Sequence, residues 1–103
     1  MEALYSTKEY FEQVDAVLSQ VPCIYYESSM EDYAIFYKNK QMGGIYRDRL
    51  LVRMTPGSRR LLGPVAQCLP FSGAKEHYLV DERDPEFLHE LFQAIWDDIP
   101  YDP

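Results

Sequence analysis

Apolar residues recur at helical spacing near both ends of the chain and give way to β-favouring runs between them. Tyr10, Phe11, Val14, Val17, Leu18 and Val21 form one stripe, with Glu12, Gln13, Asp15, Ser19 and Gln20 on the other face. Ser6 followed by Glu9 is a capping-box pattern, and Pro22 cannot continue a helix, so the first helix is expected to end near Val21. At the other end, Asp84-Pro85 is a cap followed by a first-turn proline. Phe87, Leu88, Leu91, Phe92, Ile95, Trp96 and Ile99 make a wide stripe that Pro100 closes. Most of that stripe is expected to be core, although Phe and Trp at its margin also suit a dimer interface.

Between these helices the pattern predicts strands over residues 23–28, 33–38, 41–46 and 49–54. Asn39 and Arg47-Asp48 mark tight turns, and such short spacing requires antiparallel pairing. Leu50, Val52 and Met54 point one way, opposite Arg49, Leu51 and Arg53. Gly43-Gly44 inside a strand predicts a bulge, or a close approach by backbone or a large ring. Thr55-Pro56 opens a short helix through about Leu62, which Gly63-Pro64 interrupts. Residues 65–68 fit either helix or coil, 70–75 read as loop, and His77 to Val80 as a fifth, edge-like strand. The expected architecture is a single α+β domain over residues 1–103. It has an antiparallel meander of about five strands, with N-terminal, short middle and C-terminal helices mainly on one face.

Composition narrows the class. The 103 residues suit one compact domain, and 47% apolar with 15% aromatic content excludes intrinsic disorder. Apolar runs fall well short of the ~20 residues that span a bilayer, so no membrane association is expected. No cationic start precedes an apolar run, which leaves a cytoplasmic expectation. Cys23 and Cys68 are too few for a disulfide framework and are expected to be reduced and buried.

Charge changes the picture more. The net charge is −7, which disfavours a general nucleic-acid coat. Its distribution is uneven: residues 1–37 carry seven acids and one base, and residues 76–103 carry nine acids and one base. Residues 38–60 instead carry seven bases (Lys38, Lys40, Arg47, Arg49, Arg53, Arg59, Arg60) and only Asp48 against them. Arg47, Arg49 and Arg53 share a strand parity and are expected to line one sheet face. Arginine suits a bidentate grip on carboxylate or phosphate. That face is either solvated or paired with the chain's own acidic helices, or it binds a partner, with an acidic protein segment favoured over DNA.

Catalytic patterns are absent. There is no nucleophile elbow, phosphate-binding loop, His-Glu-x-x-His or paired Cys-x-x-Cys. His77 and His89 lie on different elements, with His89 expected on the polar side of the last helix. The adjacent carboxylates Glu31-Asp32, Asp81-Glu82 and Asp97-Asp98 read as loop or cap charges. No enzyme activity, cofactor or metal is therefore expected. Two alternatives remain: a ligand pocket or active site lined by Tyr37, Tyr46 and His77, and direct nucleic-acid binding by tyrosines and arginines of the sheet.

Two stretches carry a family resemblance. Tyr33-Ala34-Ile35-Phe36-Tyr37-Lys38-Asn39-Lys40, followed by Gly43-Gly44-Ile45-Tyr46-Arg47-Asp48-Arg49-Leu50-Leu51-Val52-Arg53, resembles the N-terminal domain of the TfoX/Sxy family of bacterial competence regulators. Pro70-Phe71-Ser72-Gly73-Ala74-Lys75, Tyr78-Leu79-Val80-Asp81 and Glu86-Phe87-Leu88-His89-Glu90-Leu91 continue the pattern in order. The sequence departs from it at Met30-Glu31-Asp32, which lacks the family's glycine, at Asn39 in place of a turn glycine, and at Arg47 where the family has Asp. The resemblance implies a stand-alone domain acting in transcription regulation through protein contacts, with a homodimer expected. It carries over no catalytic residue. The family's larger members have a second domain, and roles that need it are not implied. The residues singled out for partner binding are Tyr37, Tyr46, Arg47, Arg49 and Arg53.

Overall fold

The computed structural model describes residues 7–29 and 32–100. Three helices and six strands follow in the order α1 (Lys8–Leu18), β1 (Ile24–Ser29), β2 (Asp32–Tyr37), β3 (Lys40–Ile45), β4 (Leu50–Arg53), α2 (Pro56–Leu62), β5 (Gln67–Cys68), β6 (His77–Leu79) and α3 (Pro85–Asp98). The strands form one antiparallel sheet in the order β1-β2-β3-β4-β6-β5, so the fold is α+β. The sixth strand, β5, comes from the stretch whose state the sequence left open. It also takes the edge, so the His77 strand is interior and not an edge.

Register decides which face holds the core. Tyr26, Ile35, Gly43, Val52 and Tyr78 lie in one row across the sheet. Ile35, Val52 and Tyr78 from that row share a buried cluster with Val14 and Leu18 of α1 and Leu88, Leu91, Phe92 and Ile95 of α3. Both long helices therefore cover the same face, as their apolar stripes require. The next row, Glu27, Ala34, Gly44, Leu51 and Leu79, faces the other way.

The glycine pair behaves as its position in a strand implies. The β2–β3 register shifts between Ile35 and Phe36, the mark of a bulge. Gly43 has φ +155°, and a Cβ there would run into the Leu51 carbonyl. At Gly44 a Cβ would meet the Tyr33 carbonyl and lie 2.6 Å from Cε2 of Tyr46. The Tyr46 ring thus packs where only a glycine leaves room.

The helix starts are each held by a side chain. Thr7 caps α1 by accepting from the Tyr10 N–H, one residue later than the Ser6–Glu9 box expected; Ser6 lies outside the described residues. Asp48 then accepts from the Thr7 N–H at 2.6 Å, across 41 residues of chain. Thr55 and Ser58 form a reciprocal capping box on α2, and Asp98 accepts from the Gly57 N–H at 2.6 Å. Asp84 caps α3. Each carboxylate placed on a helix start answers an unpaired N–H and the positive end of the helix dipole.

No helix among the described residues is long and apolar enough to cross a membrane. Both thiols are free, as expected, but Cys23 is exposed with φ +64° and Cys68 is half-buried. Their expected burial is therefore corrected. Cys23 falls in the turn before β1, and Cys68 lies on the two-residue edge strand, which offers cover on one side only.

Candidate partner-binding surface

Of the five residues singled out from the sequence, Tyr46, Arg47 and Arg49 meet at one corner of the sheet, whereas Tyr37 and Arg53 lie apart from them. Tyr37 is fully buried on the core face. Its hydroxyl donates to Gln93 Oε1 at 2.8 Å, which leaves its oxygen to accept from Nε2 of His89 at 3.0 Å. His89 is half-buried and borders a furrow with Glu86, Glu90 and Asp97, the polar side expected for it, while its Nε2 reaches in to the sheet. Gln93 also accepts from the Lys38 ammonium at 2.8 Å and donates to Asp97 at 3.0 Å, so its amide is engaged at both oxygen and nitrogen. A buried phenol with both roles filled is a structural anchor and offers nothing to a partner.

Tyr46 is buried on the opposite face, over Gly44 and near Phe71, with ring centroids 6.1 Å apart. Burial raises its pKa, the nearby Asp32 carboxylate adds to the rise, and a hydrogen bond with Gln41 opposes it. Asp32 is itself raised by burial, against the pull of Arg47 and Arg49. Asp32, Tyr46, Arg47 and Arg49 therefore form one corner of the sheet.

The expected arginine face is broken by backbone geometry. Tyr46 and Arg49 exchange N–H and C=O bonds of 2.9 and 3.1 Å around Arg47 and Asp48, whose φ angles are 51° and 57°. This two-residue hairpin turn needs positive φ at both central positions, so Arg47 leaves the strand's alternation. Arg49 folds back, donating to the carbonyls of Tyr46 and Leu69 at 3.2 Å each. Arg53 stays exposed at the far end of β4, in a row with His77 and Cys68. Leu51 shares the arginines' parity yet is fully buried. This face of β4 is thus partly covered and is no open basic surface. Nor do Tyr37, Tyr46 and His77 line a common pocket: the first two lie on opposite faces, and Nδ1 of half-buried His77 is bonded to the Lys75 carbonyl at 2.9 Å. No group of three His, Cys, Asp or Glu among the described residues is placed to hold a metal.

The lysines of the basic centre are likewise engaged. Lys40 Nζ donates to the carbonyls of Trp96 and Ile99 at 3.1 and 2.6 Å and sits 3.8 Å from the Trp96 ring centroid. A cation there satisfies carbonyls left open at the end of α3. The Trp96 indole N–H donates to the Lys38 carbonyl at 3.1 Å. The Trp96 margin of the α3 stripe is thus engaged by the β2–β3 turn of the same chain.

Three arginines remain. Arg53, Arg59 and Arg60 are exposed and have no side-chain hydrogen bond or ion pair within the described residues. The ion pair that is described, Lys8–Glu12 at 3.9 Å, lies within α1. Arg59 and Arg60 face outward because Gly57 packs against Ala94 and Asp98 of α3 while Leu61 and Leu62 turn toward the core. Arg59 lies over two open concavities of about 660 and 530 Å³ that share Met54, Arg59 and Tyr78. They form one groove between α2 and the β4–β6–β5 end of the sheet, and no acidic residue lines it. Sequence reasoning singled out Arg53 but only counted Arg59 and Arg60. The signal was available in the phase set by Thr55-Pro56, which turns Gly57, Leu61 and Leu62 inward and therefore Arg59 and Arg60 outward.

In comparisons with known proteins, no family model, curated protein or solved structure matches this chain.

Proposed function

We propose that this domain is a non-enzymatic protein-interaction module, an accessory regulator of bacterial transcription or competence-type gene expression that binds an acidic segment of a protein partner. The regulatory setting comes from the sequence resemblance to the TfoX N-terminal domain. One structural observation carries the binding mode. Within the basic centre, Lys38, Lys40, Asp48 and Arg49 are engaged internally, whereas Arg53, Arg59 and Arg60 are exposed and make no side-chain hydrogen bond or ion pair among the described residues. Guanidinium groups left this way favour carboxylate partners.

The test is affinity capture from the native cell at low and raised salt, comparing the natural chain with Arg53→Glu/Arg59→Glu/Arg60→Glu. The natural chain should retain a protein that raised salt releases and the variant does not hold. Recovery of no protein at low salt, or equal recovery by the variant, would refute the reading. Homodimerisation is a companion proposal, and solution mass at several concentrations decides it.

A further inference from the structure

We infer that the groove between α2 and the β4–β6–β5 end of the sheet is the docking site, and that it takes an extended acidic segment carrying an apolar side chain beside its carboxylates. This rests on the interaction reading above and gives it a place. Three features define the occupant. The charged side chains that line the groove are Arg59 and Arg60, with no acid among its walls, so a ligand seated in it meets guanidinium groups although the chain's net charge is −7. Arg60 also borders a furrow with Glu86, Glu90 and Asp97, which sets the acidic limit of the site on the α3 side.

The second feature is a polar hook in the floor. Tyr78 is only 5% exposed, yet its hydroxyl makes no hydrogen bond within the described residues. No buried side-chain oxygen there lacks a partner, so this hydroxyl opens onto the groove. A phenol O–H beside guanidinium groups is a donor set for carboxylate oxygens. The third is Met54, which is 40% exposed and forms part of both concavities. A flexible, polarizable side chain at an open surface accommodates apolar groups of different shapes. The groove is open along its length, which suits a chain segment better than an enclosed small molecule.

The experiment titrates isotope-labelled full chain with a synthetic peptide alternating Glu and Leu, beside the same peptide with Gln for every Glu. Shift changes should appear at the Met54 methyl and at the Gly63 and Gln67 amides with the Glu peptide only. Affinity should fall about tenfold or more in Arg59→Glu/Arg60→Glu and several-fold in Tyr78→Phe, and stay unchanged in Lys75→Glu, a cation outside the groove. The amide spectra of the free variants should match the natural chain away from the substituted sites. Equal binding of the Gln peptide, or shifts gathered at the Arg47–Arg49 turn, would overturn the assignment. Cellular capture that is lost in Arg53→Glu but kept in Arg59→Glu/Arg60→Glu would overturn the groove and leave the interaction reading standing. Absence of any captured protein would remove the reading itself.

Discussion

The β2–β3 turn and the α2 shoulder draw on the same basic stretch of sequence and use it in opposite ways. At the turn, Lys38 and Lys40 reach the end of α3, bonding to Gln93 and to the Trp96 and Ile99 carbonyls, while Tyr37 beneath them ties to His89 and Gln93. At the shoulder, Arg59 and Arg60 lie on a helix whose inner face is already satisfied by α3, and neither makes a side-chain hydrogen bond or ion pair among the described residues. Counting charge by segment treats the two as one basic region. Following each donor to its acceptor separates a charge that builds the protein from a charge that stays unpaired among the described residues.

The widest test of that separation is Tyr37→Ala. Removing a fully buried aromatic and leaving Gln93 and His89 without their partner should cost about 3–5 kcal/mol in chemical denaturation. Tyr37→Phe keeps the ring and should cost only about 1 kcal/mol. A loss below that for Tyr37→Ala would mean that the cluster is not an anchor. Next comes Lys40→Met, which keeps an apolar stem but removes the bonds to two helix-terminal carbonyls and the cation over Trp96. About 1–2 kcal/mol should be lost, and Trp96 fluorescence should change with it. Asp98→Ala removes the acceptor for the Gly57 N–H and should cost about 1 kcal/mol.

The comparison extends to α1 through Tyr26. Its hydroxyl donates to Asp15 at 2.7 Å, and burial, that hydrogen bond and the Asp15 charge all raise its pKa above 10.0. For a pKa raised on folding, the stabilisation is intact below the unfolded value and is lost as pH climbs through the folded value. The natural chain should therefore lose stability above pH 10 more steeply than Tyr26→Phe, as denaturation midpoints across that range would show. Parallel curves would mean that the Tyr26–Asp15 bond contributes nothing to the pH response.

Helices and core strands were legible because their apolar periodicity is local. The stripes of α1 and α3 and the bulge implied by Gly43-Gly44 reappear in the structure, although α1 ends at Leu18 with Ser19 as its cap, short of the stop expected near Val21. What was hidden depends on long-range pairing. Leu51 pairs with Leu79, which sets β6 beside β4 and leaves two-residue β5 at the edge. No local pattern announces that. Arg47 also misled, because strand parity assumes extended backbone and the two-residue turn places this arginine at positive φ. Tyr37 was singled out for partner binding, but the groups that hold its hydroxyl, His89 and Gln93, lie more than 50 positions away, where no local pattern reveals them.

The smallest expected effect on stability tests the comparison most directly. If Arg59 and Arg60 are not claimed by the fold, Arg59→Ala/Arg60→Ala should change unfolding free energy by no more than about 0.5 kcal/mol, since both side chains are exposed and unpaired. Helix propensity does not obscure this, because alanine is at least as favourable in a helix as arginine. Arginine near a helix C-terminus gains a little from the dipole, and both lie in the last turn of α2, so the sign should be a slight loss. A loss above 1 kcal/mol, measured beside Lys40→Met in the same buffer, would show that the shoulder arginines stabilise the domain as the turn lysines do. The two regions would then differ in degree only, and the argument for a vacant carboxylate site on α2 would fall.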